Sequence, residues 1–288
     1  MVRSSIEDLP PLPEGLNLAP IARVSSAKLL SGDPAEDARV LEAAQTYGFF
    51  YLDLSDSAEG ERLLAESEDL LALAKEAFAA PVEEKLKYHL HKGVSMFGYK
   101  AAGTVKATDP ERRPDSTEFF NIAKDHMHDV VPTRTYPPAV ESARPLLRDF
   151  TRRGHACGLL VLRALARAMG LGEEDFAALN DFDRPAGDHC RLTRKFPHPS
   201  DKNAVGLPSH TDFGSVTVLF NWGGGLQIES RTEGRVGEWE WVKPMPGHAV
   251  VNLGGLPIIP FLIRCSPCLL RLYFLLLSFP YSSMEETD

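Results

Sequence analysis

LPSHTDFGSVTVLFNWGGGLQI, residues 207–228, is the stretch on which the reading of this chain turns. Val216, Thr217, Val218, Leu219 and Phe220 suit a pleated, half-buried surface, so a strand is predicted there. GGG at 223–225 supplies a tight turn into a second strand, LQIE. Just ahead stands His210-Thr211-Asp212. In an extended segment residues two apart point to one face. His210 and Asp212 would therefore aim an imidazole nitrogen and a carboxylate oxygen at one point, while Thr211 faces away. That pair is two thirds of a 2-His-1-carboxylate facial triad, a ligand set that leaves positions open on Fe(II) for O2. A His-x-Asp triplet alone reads equally as a surface His beside a turn-capping Asp. The strand leading in and the Trp-Gly hairpin that follows favour the metal. In that reading Asp212 is ionised, His210 is neutral, and metal binding depends on pH.

Working outward, WEWV and AVVNL read as further strands, and HCRLTRKF (189–196) as the strand before the triplet. Arg191, Arg194 and Lys195 give that strand two polar faces. Arg194 shares its face with Leu192 and Phe196. Inside a barrel mouth it could hold a carboxylate bidentately; on an edge strand its charge would suppress aggregation. A long helix is predicted over about 140–169, closed by Gly170 and Gly172. Residues 92–138 read as long loops around one short strand, EFFNI (118–122). Further back, Asp33 as N-cap, Pro34 in the first turn and Gly48 as the stop mark a helix over 33–48. GFFYLDL (48–54) reads as a buried strand. A second helix spans roughly 58–80, with Leu63, Leu70, Leu71, Ala74 and Phe78 at helical spacing and Pro81 at its end. PVEEKLKYH continues as a short helical piece. Helices first and strands later predict an α+β protein with a β-sandwich or jelly-roll core.

The other histidines fit less well as ligands. His89, His91, His126 and His128 sit in loop or helix-edge segments and read as solvated. His155 falls in the long helix. His189 and His198 flank a predicted strand, where either could support a metal site from behind. His248 lies in a Pro-Gly turn and is the last His of the chain.

The composition is that of an ordinary soluble globular protein, and 288 residues suffice for a full-sized core. A net charge of −9 argues against a nucleic-acid partner. Cys157 and Cys190 read as small buried apolar residues. Cys265 and Cys268 form a lone CxxC without the context of a redox motif. MVRSSIEDLPPLPEG has no apolar core of a signal peptide, so a cytoplasmic location is the expectation. Leu256 to Tyr281 is the one long apolar run, but Arg264, Arg271 and four prolines argue against a membrane helix. A monomer acting on a small molecule is expected.

Several motifs in order carry a resemblance. TYGFFYLDLSD, FAAPVEEKLKY, GYKAAG and EFFNI are followed by RKFPHP, LPSHTDFGSVTVLF, GGLQI, WEWVKPMPG and AVVNLG. From about residue 18 to 254 the chain resembles the Fe(II)/2-oxoglutarate-dependent dioxygenases of the isopenicillin N synthase-like superfamily, especially fungal members. The resemblance implies a double-stranded β-helix, or jelly roll, with N-terminal helices packed outside it. It implies an N-terminal dioxygenase region over 18–130, a jelly-roll region with its leading helix over 140–254, and a divergent apolar tail over 255–288. His210 and Asp212 would be iron ligands, and Arg194 and Asn252 are candidates for cosubstrate binding. The chemistry implied is Fe(II) chelated by 2-oxoglutarate, O2 at the last open position, and decarboxylation to succinate and CO2 coupled to hydrogen abstraction. Hydroxylation, desaturation or ring closure of a small organic metabolite would follow.

The chain departs from the family pattern in two places. Phe196 stands where the family usually has a Tyr beside the cosubstrate. After Gly255 neither the third ligand His nor the Arg-x-Ser that clamps 2-oxoglutarate follows. The tail also lacks alternation, caps and turn chemistry. The expectation is that residues from about 255 come from a retained intron, a shifted frame or a wrong gene end. An incomplete core and a chain inactive or nearly so as it stands would result.

Overall fold

The computed structural model describes residues 14–90, 95–104, 114–196, 209, 210, 212, 214–254 and the backbone of 274–280. β1 (Ala22–Ser25) leads into α1 (Ser26–Ser31). α2 (Pro34–Thr46) starts as its sequence demands: the Asp33 carboxylate accepts from the Ala35 N–H at 2.9 Å, and Pro34 has no N–H to leave unsatisfied. Gly48 ends it at φ +71°, its N–H returning to the Ala43 carbonyl at 2.9 Å. β2 (Phe49–Asp53) follows at once. α3 (Ala58–Ala79) is capped by Ser57, and α4 (Val82–Leu86) begins just past Pro81.

β3 (Gly98–Lys100), β4 (Thr117–Ala123) and α5 (Lys124–Met127) come next. α6 (Pro138–Ser142) and α7 (Arg144–Ala168) occupy the place of the single predicted long helix. The break between them falls at Ala143, two residues before Pro145, whose ring and missing N–H suit the first turn of α7 and not a helix interior. α8 (Glu174–Ala177) is short. The remaining strands are β5 (His189–Lys195), β6 (Val216–Asn221), β7 (Gln227–Glu229), β8 (Trp239–Trp241), β9 (His248–Leu253) and β10 (Phe274–Pro280).

Among the described residues, the strands form an eight-stranded sheet in the order β1-β2-β9-β6-β10-β5-β4-β3, with β7 and β8 as a separate pair. The sheet has two unlike faces. Phe50, Leu52, Phe120, Ile122, Cys190, Leu192, Val216, Val218, Phe220, Ala249 and Val251 point to one side. There they pack with Val40 of α2, Leu70, Ala74 and Phe78 of α3, and Val161, Leu162 and Leu165 of α7. Each large side chain so buried contributes roughly 1.5–3 kcal/mol before conformational entropy is set against it. On the opposite side a smaller cluster of Tyr51, Leu219 and Val250 meets Ile228 and Val242 at the β7–β8 pair. Alternation locks the register, because a slip of one residue would turn Thr217 and Asn252 into the helix-packed core. The molecule is α+β, as predicted.

The loop reading of 92–138 missed β3 and α5. It also placed His126 in solvent, whereas His126 is 9% exposed and its Nδ1 is 2.8 Å from the Tyr136 hydroxyl. The turn of α5 folds it inward, an effect of packing that its flanking sequence does not signal. β1, α1 and α8 are likewise additions. At 274–280 the backbone forms β10, which lies between β5 and β6, parallel to both. Its sequence, FLLLSFP, is the continuous apolar run typical of a strand covered on both faces. Residues 255–273 and 281–288, with Cys265 and Cys268, lie outside the described residues, as do His91 and His198.

Candidate metal centre

Thr217 of β6 and Asn252 of β9 are cross-strand partners on the sheet face away from the helices. Both donate to one oxygen of Asp212: Thr217 Oγ1 to Oδ2 at 3.0 Å and Asn252 Nδ2 to Oδ2 at 2.9 Å. The other oxygen, Oδ1, lies 3.5 Å from His210 Nε2. Burial pushes the Asp212 carboxyl up, but the hydrogen bonds from His210, Asn252 and Thr217 outweigh it and hold the pKa down at about 2. The carboxylate is therefore ionised, fixed by its neighbours on one side and turned to an imidazole on the other. The period of two does not explain this meeting, because His210 and Asp212 precede the strand, which begins at Val216. Thr211 is outside the described residues.

A neutral imidazole and a carboxylate 3.5 Å apart can both reach one divalent ion at roughly 2.1 Å, so this donor pair fits two positions of a metal site. Among the described residues no group of three His, Cys, Asp or Glu side chains stands together as a metal site. His248 is at the other end of β9 from Asn252, with Nδ1 2.7 Å from the Pro246 carbonyl and Nε2 3.8 Å from Asp53. His155 lies 3.8 Å from Asp188, and His89 is exposed. His189 is buried on the same face as Thr217, its Nδ1 donating to the Gly187 carbonyl at 2.9 Å. Burial first, then Arg191, push its pKa down to about 3 against the opposing pull of that carbonyl and of Asp212.

Arg194 is elsewhere. It points to the helical side of the sheet, where Nε donates to Glu118 Oε1 at 2.5 Å. Lys85 Nζ donates to Glu118 Oε2 at 2.9 Å, and the Tyr99 hydroxyl donates to the same oxygen. The guanidinium lies 4.7 Å from the Phe196 ring and 5.4 Å from the Phe78 ring. This cluster ties α3 and α4 to the sheet, and a carboxylate of the chain already occupies the arginine. The residue beside Asp212 that the pattern missed is Thr217, a bystander in a strand by sequence. The period-two alternation of β5 separates Arg191 from Arg194; which of the two faces the site depends on where the helices pack.

Residues 19–140 match the model of the N-terminal region of the non-haem dioxygenases in morphine synthesis, and residues 187–267 that of the 2OG-Fe(II) oxygenase superfamily. The 2-oxoglutarate-dependent dioxygenase frbH of Dothideomycetidae sp. (strain 11243) is 30% identical over 244 residues, covering 84% of this chain and 72% of that protein. The chain belongs to the Fe(II)- and 2-oxoglutarate-dependent oxygenases. The fold agrees. A full-length Neurospora crassa protein, crystallised in complex with alpha-KG, superposes on this oxygenase with a TM-score of 0.61 at 24% identity, over 84% of this chain and 75% of that one. A 2OG-Fe(II) oxygenase family protein from Caulobacter crescentus gives 0.60 at 26%, over 82% and 74%. Both neighbours are jelly-roll proteins by family, and Fe(II), 2-oxoglutarate and O2 are the family's cofactors. The match to the oxygenase superfamily continues past Gly255, where the motif resemblance was expected to stop. Among the described residues of this oxygenase no helix is long and apolar enough to cross a membrane.

Proposed function

We propose that His210 and Asp212 hold Fe(II) in an oxygenase that oxidises a small organic metabolite of fungal-type secondary metabolism, by hydroxylation, desaturation or ring closure. The observation that carries this reading is the Asp212 carboxylate, braced by Thr217 and Asn252 and opened toward His210 Nε2. When bound, Fe(II) with 2-oxoglutarate and O2 supplies the oxidising power for attack on an unactivated carbon. The protein's part is placement. Asn252 and Thr217 fix the direction of the ligand carboxylate, the kind of outer support that tunes a metal site. Asp212 needs no deprotonation above a pH of about 2, and His210 would bind the metal as a neutral imidazole. Tyr51, Leu219, Val250, Ile228 and Val242 line the same side with apolar surface, which supports a dry wall beside the centre. The frbH relative is described as a dioxygenase, and the comparisons lend no support to a catalytically dead chain.

Anaerobic titration of the purified chain with Fe(II) and 2-oxoglutarate tests the reading through the metal-to-ligand charge-transfer band. The expected result is a band that appears with wild type and disappears in His210→Ala and Asp212→Ala. A band of undiminished strength in both variants places the metal elsewhere, and no band from folded wild-type protein overturns the proposal.

A further inference from the structure

We propose that the crevice between α1, α3 and α7 is a second binding site, which takes a small primary amine with an aromatic or similarly compact apolar body. It lies on the helical side of the sheet, whereas Asp212 is held on the other face, so the inference does not rest on the metal reading. The cavity starts from one helix. Asp149, Arg152, Arg153, Ala156, Cys157 and Leu160 are spaced three and four apart along α7 and form one stripe beside its core face. Leu30 of α1, Leu54 after β2 and Leu63 of α3 complete the walls. Gly60 carries no side chain to fill the space between, and Ser26 and Ser57 are short. What remains is a cavity of about 290 Å³, open where Leu30 is 58% exposed. An apolar void of about 150 Å³ takes up benzene, so this one has room for a ring and a short chain.

Most of the polar groups around the cavity are already engaged. Ser26 Oγ donates to Asp56 Oδ1 at 2.7 Å and lies 2.6 Å from Ser57 Oγ. Burial pushes the Cys157 thiol up to about 12, so it is a neutral wall and not a nucleophile. Arg153 donates to Glu59 and to Glu66, both at 2.6 Å. Arg152 lays its guanidinium over the ring of Phe182, outside the cavity, at 4.4 Å. Glu59, Glu61 and the Ser57 cap already answer the positive N-terminus of α3. Asp149 is left. It is exposed at the rim and makes no hydrogen bond or ion pair among the described residues, and its charge adds to that of Glu66 nearby. An apolar hollow with an uncommitted carboxylate at its mouth is complementary to an amphipathic cation. The body leaves water, and the ammonium stays at the wet rim beside Asp149.

The test uses 4-phenylbutylamine, with 4-phenylbutanol and 4-phenylbutyrate as neutral and anionic counterparts of the same body. Affinities for the purified chain are measured by calorimetry at neutral pH. Wild type should bind the amine more tightly than the alcohol by roughly fivefold, the upper range of an ion pair at a rim, and the carboxylate most weakly. Asp149→Asn should bring the amine down to the level of the alcohol and leave the alcohol unchanged. Ala156→Phe, which fills the hollow from an exposed wall position, should abolish binding of all three. Both substitutions lie at exposed positions, and circular dichroism melts should match wild type. No binding of the amine by wild type overturns the proposal, as does equal affinity for amine and alcohol. A preference that survives Asp149→Asn overturns it too, and so does binding that survives Ala156→Phe, which would place the amine elsewhere.

Discussion

Asp212 and His189 face the same interior and respond to it in opposite ways. Asp212 is surrounded by donors and stays charged, whereas His189 is enclosed beside a guanidinium and stays neutral. The histidine has a consequence for stability. Its folded pKa of about 3 lies below the unfolded value of about 6.5, so unfolding takes up a proton at any pH between the two. The fold should lose stability as pH falls below about 6.5, by about 2 kcal/mol from this residue alone on reaching pH 5. His126 and His128, also held down mainly by burial, act in the same direction. Urea unfolding of wild type and His189→Gln at pH 7.5 and pH 5 isolates the contribution. The variant should show the shallower pH dependence, and identical slopes would assign the titration to other groups.

At the level of elements, the helices and strands begin and end where local chemistry says they must. Asp33, Pro34 and Gly48 delimit α2, Ser57 caps α3, and Pro145 falls in the first turn of α7. Gly60 is the instructive exception. In the first turn of an isolated helix, Ala in place of Gly is better by about 1 kcal/mol. Here a Cβ on Gly60 would stand 2.1 Å from the Leu54 carbonyl oxygen, which is backbone and cannot swing aside. Gly60→Ala should therefore lower stability by roughly 1–3 kcal/mol, the usual cost of overpacking. A thermal melt reads the difference, and a midpoint equal to or above wild type would mean that α3 shifts freely against β2. Sequence reading placed this helix well but had no signal for the close approach, which depends on how the turn after β2 returns.

On the scale of the whole molecule, the sheet carries Thr217 and Asn252, which hold Asp212, on one face and the helices on the other, and β10 joins its halves. Among the described residues β5 is joined to β6 through β10, which pairs along both of its edges. Deleting residues 274–288 would expose the edges of two central strands, each then a site for non-native pairing. The shortened chain is expected to melt at lower temperature with a broader transition and to aggregate on concentration. Differential scanning calorimetry with light scattering measures both, and a melt indistinguishable from wild type would show that the β10 pairing contributes nothing to stability.

Sequence alone determined that helices precede strands, where most of them lie, and which two neighbouring side chains could bind a metal. Those features depend on periodicity, capping and turn chemistry, which act within a few residues along the chain. Tertiary structure decided the rest. Asn252 braces Asp212 from 40 residues away. Glu118 occupies Arg194 across 76 residues; the alternation of β5 was visible, but which of its polar faces meets the helices was not. His126 is buried, and Phe274–Pro280 enters the sheet. In each case the deciding quantity is what packs against a face, and a strand with polar residues on both sides does not carry that information in its own sequence.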